Sequence, residues 1–130
     1  GWRGLLQPAL EKKFSFPLAT VITALVWVAW HLPLWLIPGT SQGQLSLLFY
    51  LSFGILLSFC LAVLYKQTAS VFACMVFHGC INFAQVTIVG SATNGGRYLS
   101  FQAANLVMTA LLVGWWYWKG NRKGVQKDAG

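Results

Sequence analysis

Four long apolar runs dominate the pattern of hydrophobic and polar positions along the chain. They are Leu18–Pro38, Leu45–Tyr65, Thr68–Gly90 and Tyr98–Trp118, and none of them contains Asp, Glu, Lys or Arg. A bilayer core takes about 20 helical residues to cross, and a helix satisfies its own backbone hydrogen bonds in lipid. Strands of a membrane barrel would be shorter and would alternate. The pattern therefore predicts an all-α, polytopic transmembrane helical bundle with four spans.

The segments between these runs are short and polar. The connections are rich in turn-forming residues or are very tight: Gly39–Gln44, Lys66-Gln67 and Ser91–Arg97. Before the first span, Gly1–Leu10 is interpreted as the end of a preceding helix that stops near Pro8. After the last span, the polar and basic tail is expected to be disordered from Gly120 onward.

Composition and charge support a membrane protein. Hydrophobic residues make up 57% of the chain and charged residues 8%, whereas a soluble domain has about 25% charged residues. The net charge is +7, but the positive residues lie between the apolar runs or in the tail, so we expect no nucleic-acid partner. Arg97 is alone on one side of the predicted membrane; the other side carries Arg3, Lys12, Lys13, Lys66, Lys119, Arg122, Lys123 and Lys127. The positive-inside rule therefore predicts a multi-pass cell-membrane protein with Lys12, Lys66 and the C-terminal tail in the cytoplasm.

Both histidines of the chain lie inside predicted spans, where an ionisable side chain is costly and indicates function. His31 stands 13 residues past Leu18, and His78 stands 10 residues past Thr68. At about 1.5 Å per residue, the two imidazoles are roughly 20 Å and 15 Å from the same membrane face. Two helices could therefore direct them at one site.

The third span carries a polar stripe around its histidine. Asn82 and Gln85 follow His78 by one and two helical turns, so the three side chains share a face that is expected to point into the bundle. Gly79 is expected to let another helix approach closely. The other intramembrane amides are interpreted as hydrogen-bonding groups between helices: Gln85, Gln102 and Asn105.

The first span places an aromatic residue and a proline beside its histidine. Trp27 precedes His31 by one turn and is expected to lie on the same face. Pro33 follows His31 by two residues. Because proline lacks a backbone N–H, it is expected to kink the helix or to free a carbonyl near His31.

Three short motifs occur in order along the chain. Trp27–His31 reads WVAWH, an aromatic-x-x-x-His pattern, and His78–Asn82 reads HGCIN, a His-x-x-x-Asn pattern. The opening GWRGLLQPAL resembles the end of a Glu-Glu-x-x-x-Arg motif, with Arg3 as its arginine. Together, from Gly1 to Phe83, they resemble the motifs of the CPBP (CAAX protease and bacteriocin-processing) intramembrane proteases.

That family includes type II CAAX prenyl endopeptidases, which remove the last three residues of prenylated proteins, and bacterial members linked to bacteriocin processing and immunity. The resemblance implies an endopeptidase in the lipid bilayer acting on a peptide or lipidated protein. A motif glutamate and His31 would activate the attacking water, with Trp27 in support. His78 and Asn82 would stabilise the oxyanion, a role that suits an amide because it donates and never titrates. Arg3 would pair with the motif acids.

The two motif glutamates would stand directly before Gly1, and the sequence does not contain them; its acids are Glu11 and Asp128. The protease domain, 1–118, is therefore expected to be incomplete at its N-terminus, with 119–130 as a basic cytoplasmic tail. The chain is either a piece of a longer protein or an inactive remnant, and the start at Gly1 rather than Met favours the piece. We expect these 130 residues alone to hydrolyse nothing.

A metal site is the first alternative to a metal-free glutamate mechanism. His31 and His78 with one glutamate would form a hydrolytic zinc site. Because this sequence supplies the two histidines without the third ligand, the metal-free mechanism is preferred and zinc is kept as the alternative.

Two other functions are compatible with parts of the pattern. His31 and His78 could be the axial ligands of a haem in a membrane electron carrier, although that function leaves Asn82 and Arg3 unexplained. A non-catalytic membrane protein, such as a bacteriocin immunity or assembly factor, would use the histidines as packing and hydrogen-bonding groups.

Overall fold

The computed structural model describes residues 1–40, 42–89 and 95–128, and every regular element within those ranges is helical. A π-helical segment, Trp2–Leu6, leads into the short helix α1 (Gln7–Glu11). Four longer helices follow: α2 (Phe16–His31), α3 (Leu47–Thr68), α4 (Val71–Ala84) and α5 (Gly95–Asp128). Short segments of other helix types complete the set: Leu32–Leu36 and Gln42–Gln44 are 3₁₀, and Gln85–Val89 is π-helical. The predicted all-α bundle is confirmed.

Three helical stretches are long and apolar enough to cross a membrane: Phe16–Leu36, Leu47–Thr68 and Leu99–Gly120. The predicted span Thr68–Gly90 forms a shorter apolar helix, Val71–Thr87, and Gly90 lies outside the described residues. That helix begins late because Ala69 takes a left-handed conformation, with φ at 50°. Ser70 then caps α4, its Oγ accepting from the Ala73 N–H at 3.1 Å.

Two prolines act differently because of their positions in the helices. At Pro33 the α-helix gives way to 3₁₀ geometry after His31, in agreement with the predicted disturbance. Pro8 lies in the first turn of α1, where its missing N–H costs little. The helix therefore continues to Glu11, and the prediction of a stop near Pro8 is wrong.

The last helix is longer than the sequence pattern indicated. α5 continues through Asp128, so the expectation that the tail is disordered from Gly120 is wrong over that stretch. A helix that has already begun extends at little cost per residue, even through polar sequence.

α3 is the central helix and packs against α2, α4 and α5. Its apolar contacts form the core together with one residue each from α4 and α5: Phe53, Leu57, Leu61, Cys74 and Phe101. Large side chains such as Trp30, Phe72 and Leu111 remain exposed on the outer faces. In a membrane these faces are solvated by lipid, so they carry no penalty.

Side chains of α2 pack directly against the backbone of α3 at Gly54. A Cβ added there would lie 2.8 Å from Val28 Cγ2 and 3.3 Å from Trp27 Cζ3. A Cβ added at Gly79 would meet nothing within 4 Å, so the predicted close contact at Gly79 is wrong. Gly54 therefore determines how Trp27 is seated against α3.

Replacing Gly54 with Val is expected to force Trp27 and Val28 away from α3. Overpacking a helix interface costs about 1–3 kcal/mol, so the thermal unfolding midpoint of the purified protein in detergent should fall. Gly114→Val is the matched control, because a Cβ at Gly114 meets nothing within 4 Å. An equal fall for both variants would contradict the close-approach argument.

Candidate active site

Four of the residues singled out from the sequence line one cavity of about 300 Å³ between α2, α3 and α4: Trp27, His31, His78 and Asn82. Gln85, from the same polar stripe, also lines it. The structure thus brings the two intramembrane histidines together, with the amides of Asn82 on α4 and of Gln85 just after it beside them. Arg3 lies outside this cavity.

The His31 ring is oriented by Trp27. Its Nδ1 lies 2.7 Å from the Trp27 carbonyl oxygen, and the two rings pack with centroids 4.3 Å apart. A carbonyl oxygen can only accept, so Nδ1 carries the proton. In the neutral ring, Nε2 then presents a lone pair, which can accept a hydrogen bond from a ligand.

Trp27 is also the centre of an aromatic wall, which we define as Trp27, Trp35, Tyr50 and Phe53. The Trp27 indole stacks on Tyr50 with centroids 5.7 Å apart and meets the edge of His78 at 5.8 Å. Tyr50 is buried and also contacts His31 and Trp35. Neither Tyr50 nor Phe53 was singled out from the sequence, because no motif marks them and their placement depends on how α3 packs against α2.

His78 and Asn82 are one turn apart in the regular part of α4, which ends at Ala84. Their side chains therefore project to the same side of the helix. His78 is half-buried, whereas Asn82 is exposed. The Asn82 amide is thus accessible to a ligand in the cavity.

Arg3 lies beside the site. It is 8% exposed and lines a second cavity, of about 190 Å³, to which Trp27 and His78 also contribute. Its Nη1 donates to Gln7 Oε1 at 3.2 Å and its Nη2 donates to Ser58 Oγ at 2.7 Å. Within the described ranges Arg3 has no acidic partner, and its Nε has no hydrogen bond.

Whether these residues can bind a catalytic metal ion depends on how many ligands they supply. Across residues 1–40, 42–89 and 95–128, no group of three His, Cys, Asp or Glu side chains could hold a metal ion. A catalytic zinc takes three protein ligands. His31 and His78 therefore do not complete a zinc site with the groups that this part of the chain supplies.

The amides interpreted as interhelical groups behave differently from one another. Gln102 Nε2 donates to Ser52 Oγ at 2.7 Å and links α5 to α3, which confirms that interpretation. Asn105 Nδ2 donates to the Phe101 carbonyl at 2.9 Å, within α5. This hydrogen bond does not join two helices, so the prediction that the Asn105 amide is an interhelical group is wrong for it.

The helices and the cavity between them define a polytopic membrane protein with a polar site inside its bundle. The chain belongs to the Rce1-like type II CAAX prenyl endopeptidase family, whose model matches residues 1–84. The match includes His31, His78 and Asn82, and it confirms the resemblance noted from the motifs.

A curated relative is similar over most of the chain. CAAX prenyl protease 2 of Methanococcus maripaludis is 29% identical over 124 residues, which cover 87% of this chain and 44% of the relative. The chain thus spans less than half the length of that relative. No solved structure matches the chain.

Proposed function

We propose that this chain contributes a water-activating histidine and two oxyanion donors to an intramembrane endopeptidase. The observation that carries the proposal is the single cavity lined by His31, His78 and Asn82. Membership of the CAAX endopeptidase family supports peptide hydrolysis as the chemistry. The substrate class that follows is a membrane-associated peptide or protein of the prenylated type.

Water activation needs a base next to the attacking oxygen. His31 suits the task of holding the water, because its Nδ1 is engaged by the Trp27 carbonyl and its Nε2 can accept a hydrogen bond. Glu11 does not suit the task of the base, since it binds Gln7 and Lys66. We assign the base to the motif glutamate that the resemblance implies, which these 130 residues do not contain. It takes the proton as the water oxygen attacks the peptide carbonyl carbon.

The carbonyl oxygen becomes negatively charged when water adds to it, and this charge needs donors. Asn82 can donate from its amide, and His78 can donate from a ring N–H one turn earlier on α4. Both groups line the same cavity, so they can donate to one oxyanion. The tetrahedral intermediate then collapses, the C–N bond breaks, and the proton held by the carboxylate passes to the leaving amine.

The proposed orientation places Lys12, Lys66 and the tail in the cytoplasm of a cell-membrane protein. Lys66 pairs with Glu11 and lies 5.2 Å from the centre of the Phe16 ring. A cation, an acid and an aromatic ring at one level are typical of a membrane interface. This cluster supports the placement of the Lys66 end of α3 at the bilayer surface.

The competing functions receive less support. Family membership favours the protease over a haem carrier. A bacteriocin immunity or assembly factor would show no peptide cleavage. Zinc held by His31, His78 and a third ligand is the alternative means of activating water. Chelation of the purified protease distinguishes the two mechanisms: the metal-free mechanism predicts that activity is retained.

The purified full-length protein is expected to cleave a prenylated peptide, whereas the 130 residues alone are expected to be inactive. Peptides with and without the prenyl group should be compared in detergent, with the reaction run in ¹⁸O-labelled water. Mass spectrometry should find one ¹⁸O atom in the new carboxyl group, because hydrolysis adds one oxygen atom from water to the peptide carbonyl carbon. A folded full-length protein that cleaves neither peptide would refute the proposed function.

A further inference from the structure

A ladder of polar side chains runs along one face of the N-terminal helical segment. Arg3, Gln7 and Glu11 are spaced four residues apart, and each side chain bonds to the next. Glu11 continues the ladder to Lys66 at the end of α3. Gln7, in the middle, is 2% exposed and is among the largest fully buried side chains in the described part of the chain.

The chemistry of its neighbours gives the Gln7 amide one possible orientation. Its Oε1 faces the Arg3 guanidinium, which can only donate. Its Nε2 donates to Glu11 Oε1 at 2.8 Å and to Thr20 Oγ1 at 3.0 Å. The Thr20 proton is already committed to the Phe16 carbonyl at 2.7 Å. A flipped amide would set donor against donor and acceptor against acceptor.

This fixed amide also fixes the guanidinium of Arg3. Gln7 holds Nη1, and Ser58 of α3 holds Nη2. Two bonds from two different helices define the plane of the group. They leave Arg3 facing the cavity that it shares with His78 and Trp27.

We propose that Gln7 is a positioning residue that sets the orientation of Arg3 beside the His78 cavity. The catalytic consequence rests on the proposed protease function; the orientation itself does not. Gln7 connects the Glu11–Lys66 ion pair at the end of α3 to the Arg3 guanidinium beside the site. A buried, hydrogen-bonded cation keeps its geometry only while each partner stays in place.

Gln7→Met keeps the length of the side chain and removes its hydrogen bonds. In the full-length protein we expect kcat to fall about ten- to a hundredfold, by analogy with residues that orient the ligands of a catalytic metal. Gln102→Met is the control, because it makes the same substitution and removes a part-buried amide hydrogen bond to Ser52 at a different interface. An equal loss of kcat in both variants would overturn the proposal.

Exchanging the residue types of Gln7 and Glu11 tests whether activity lost in a single variant can be restored. Gln7→Glu alone sets two carboxylates side by side and should impair kcat. The double variant Gln7→Glu/Glu11→Gln restores a complementary ladder: the new carboxylate accepts from Arg3 and from the new amide, and the oxygen of that amide accepts from Lys66. The Thr20 hydroxyl then turns its proton from the Phe16 carbonyl to the carboxylate. The double variant should recover most of the activity, and failure to recover it would count against the proposal.

A second readout does not depend on catalysis. In ¹⁵N-arginine NMR spectra, the two Nη groups of Arg3, identified by their loss in Arg3→Lys, should be resolved in the wild type and averaged in Gln7→Met. Two resolved signals in Gln7→Met would overturn the proposal. If the wild type cleaves no peptide, the proposed function fails while this spectrum still decides the role of Gln7.

Discussion

Replacing His31 with Asn is expected to lower kcat of the full-length protein by about 10²–10⁴-fold, because general-base catalysis needs the attacking water held next to the base. The Asn amide can still donate to the Trp27 carbonyl, as Nδ1 does in the wild type. The Asn side chain has no atom at the position of His31 Nε2, so the lone pair of that nitrogen is lost. The fold should therefore survive while the attacking water loses its hydrogen-bond acceptor. Steady-state kinetics with a prenylated peptide measure the effect.

Thr23→Val is the control for this experiment. Thr23 is buried on the same helix and donates to the Ala19 carbonyl at 2.8 Å, two turns before His31. Removing its hydroxyl changes polarity within α2 without touching the cavity, so near wild-type kcat is expected. Wild-type kcat in His31→Asn would show that the ring does not position the water.

Replacing Asn82 with Leu is expected to lower kcat by about 10²–10³-fold, as loss of one oxyanion donor does in other hydrolases. KM should change little, because the oxyanion exists in the transition state and not in the bound substrate. Leu has the same branched shape as Asn and is somewhat larger, and position 82 is exposed, so the packing of α4 should be retained. Separate measurement of kcat and KM checks the prediction.

Asn105→Leu makes the same chemical change on α5. Its amide bonds to the Phe101 carbonyl within its own helix, and it is not part of the cavity. Near wild-type kcat in Asn105→Leu would assign the loss in Asn82→Leu to the site. A raised KM with unchanged kcat in Asn82→Leu would instead assign Asn82 to substrate binding.

Candidate-site residues that lie one turn apart in a regular helix were predictable from spacing alone. His78 and Asn82, and likewise Trp27 and His31, share helix faces in the structure. Helical geometry is local, so residues four apart meet whatever the rest of the fold does. Arg3, Gln7 and Glu11 have the same spacing, and their polarity beside an apolar span was an available signal for the ladder.

Contacts between helices were the part that spacing could not predict. Gly79 and Gly54 are both glycines within apolar helices, yet Gly54 alone of the two meets a neighbouring side chain. Which glycine lies at an interface depends on the rotation of each helix about its axis. Tyr50 joins the aromatic wall for the same reason, because the seating of Trp27 against α3 brings the two rings together.

By itself, the sequence determined the helical class, the positions of the apolar helices and the pairs of residues on each face. The physical reason is that lipid leaves backbone groups no partner except their own helix, so long apolar runs must be helical. The tertiary structure decided which faces meet. It placed His31 and His78 on one cavity, set Arg3 beside it and joined Gln7 to Glu11 and Lys66. Those contacts depend on side-chain packing between helices distant in sequence, which no local pattern encodes.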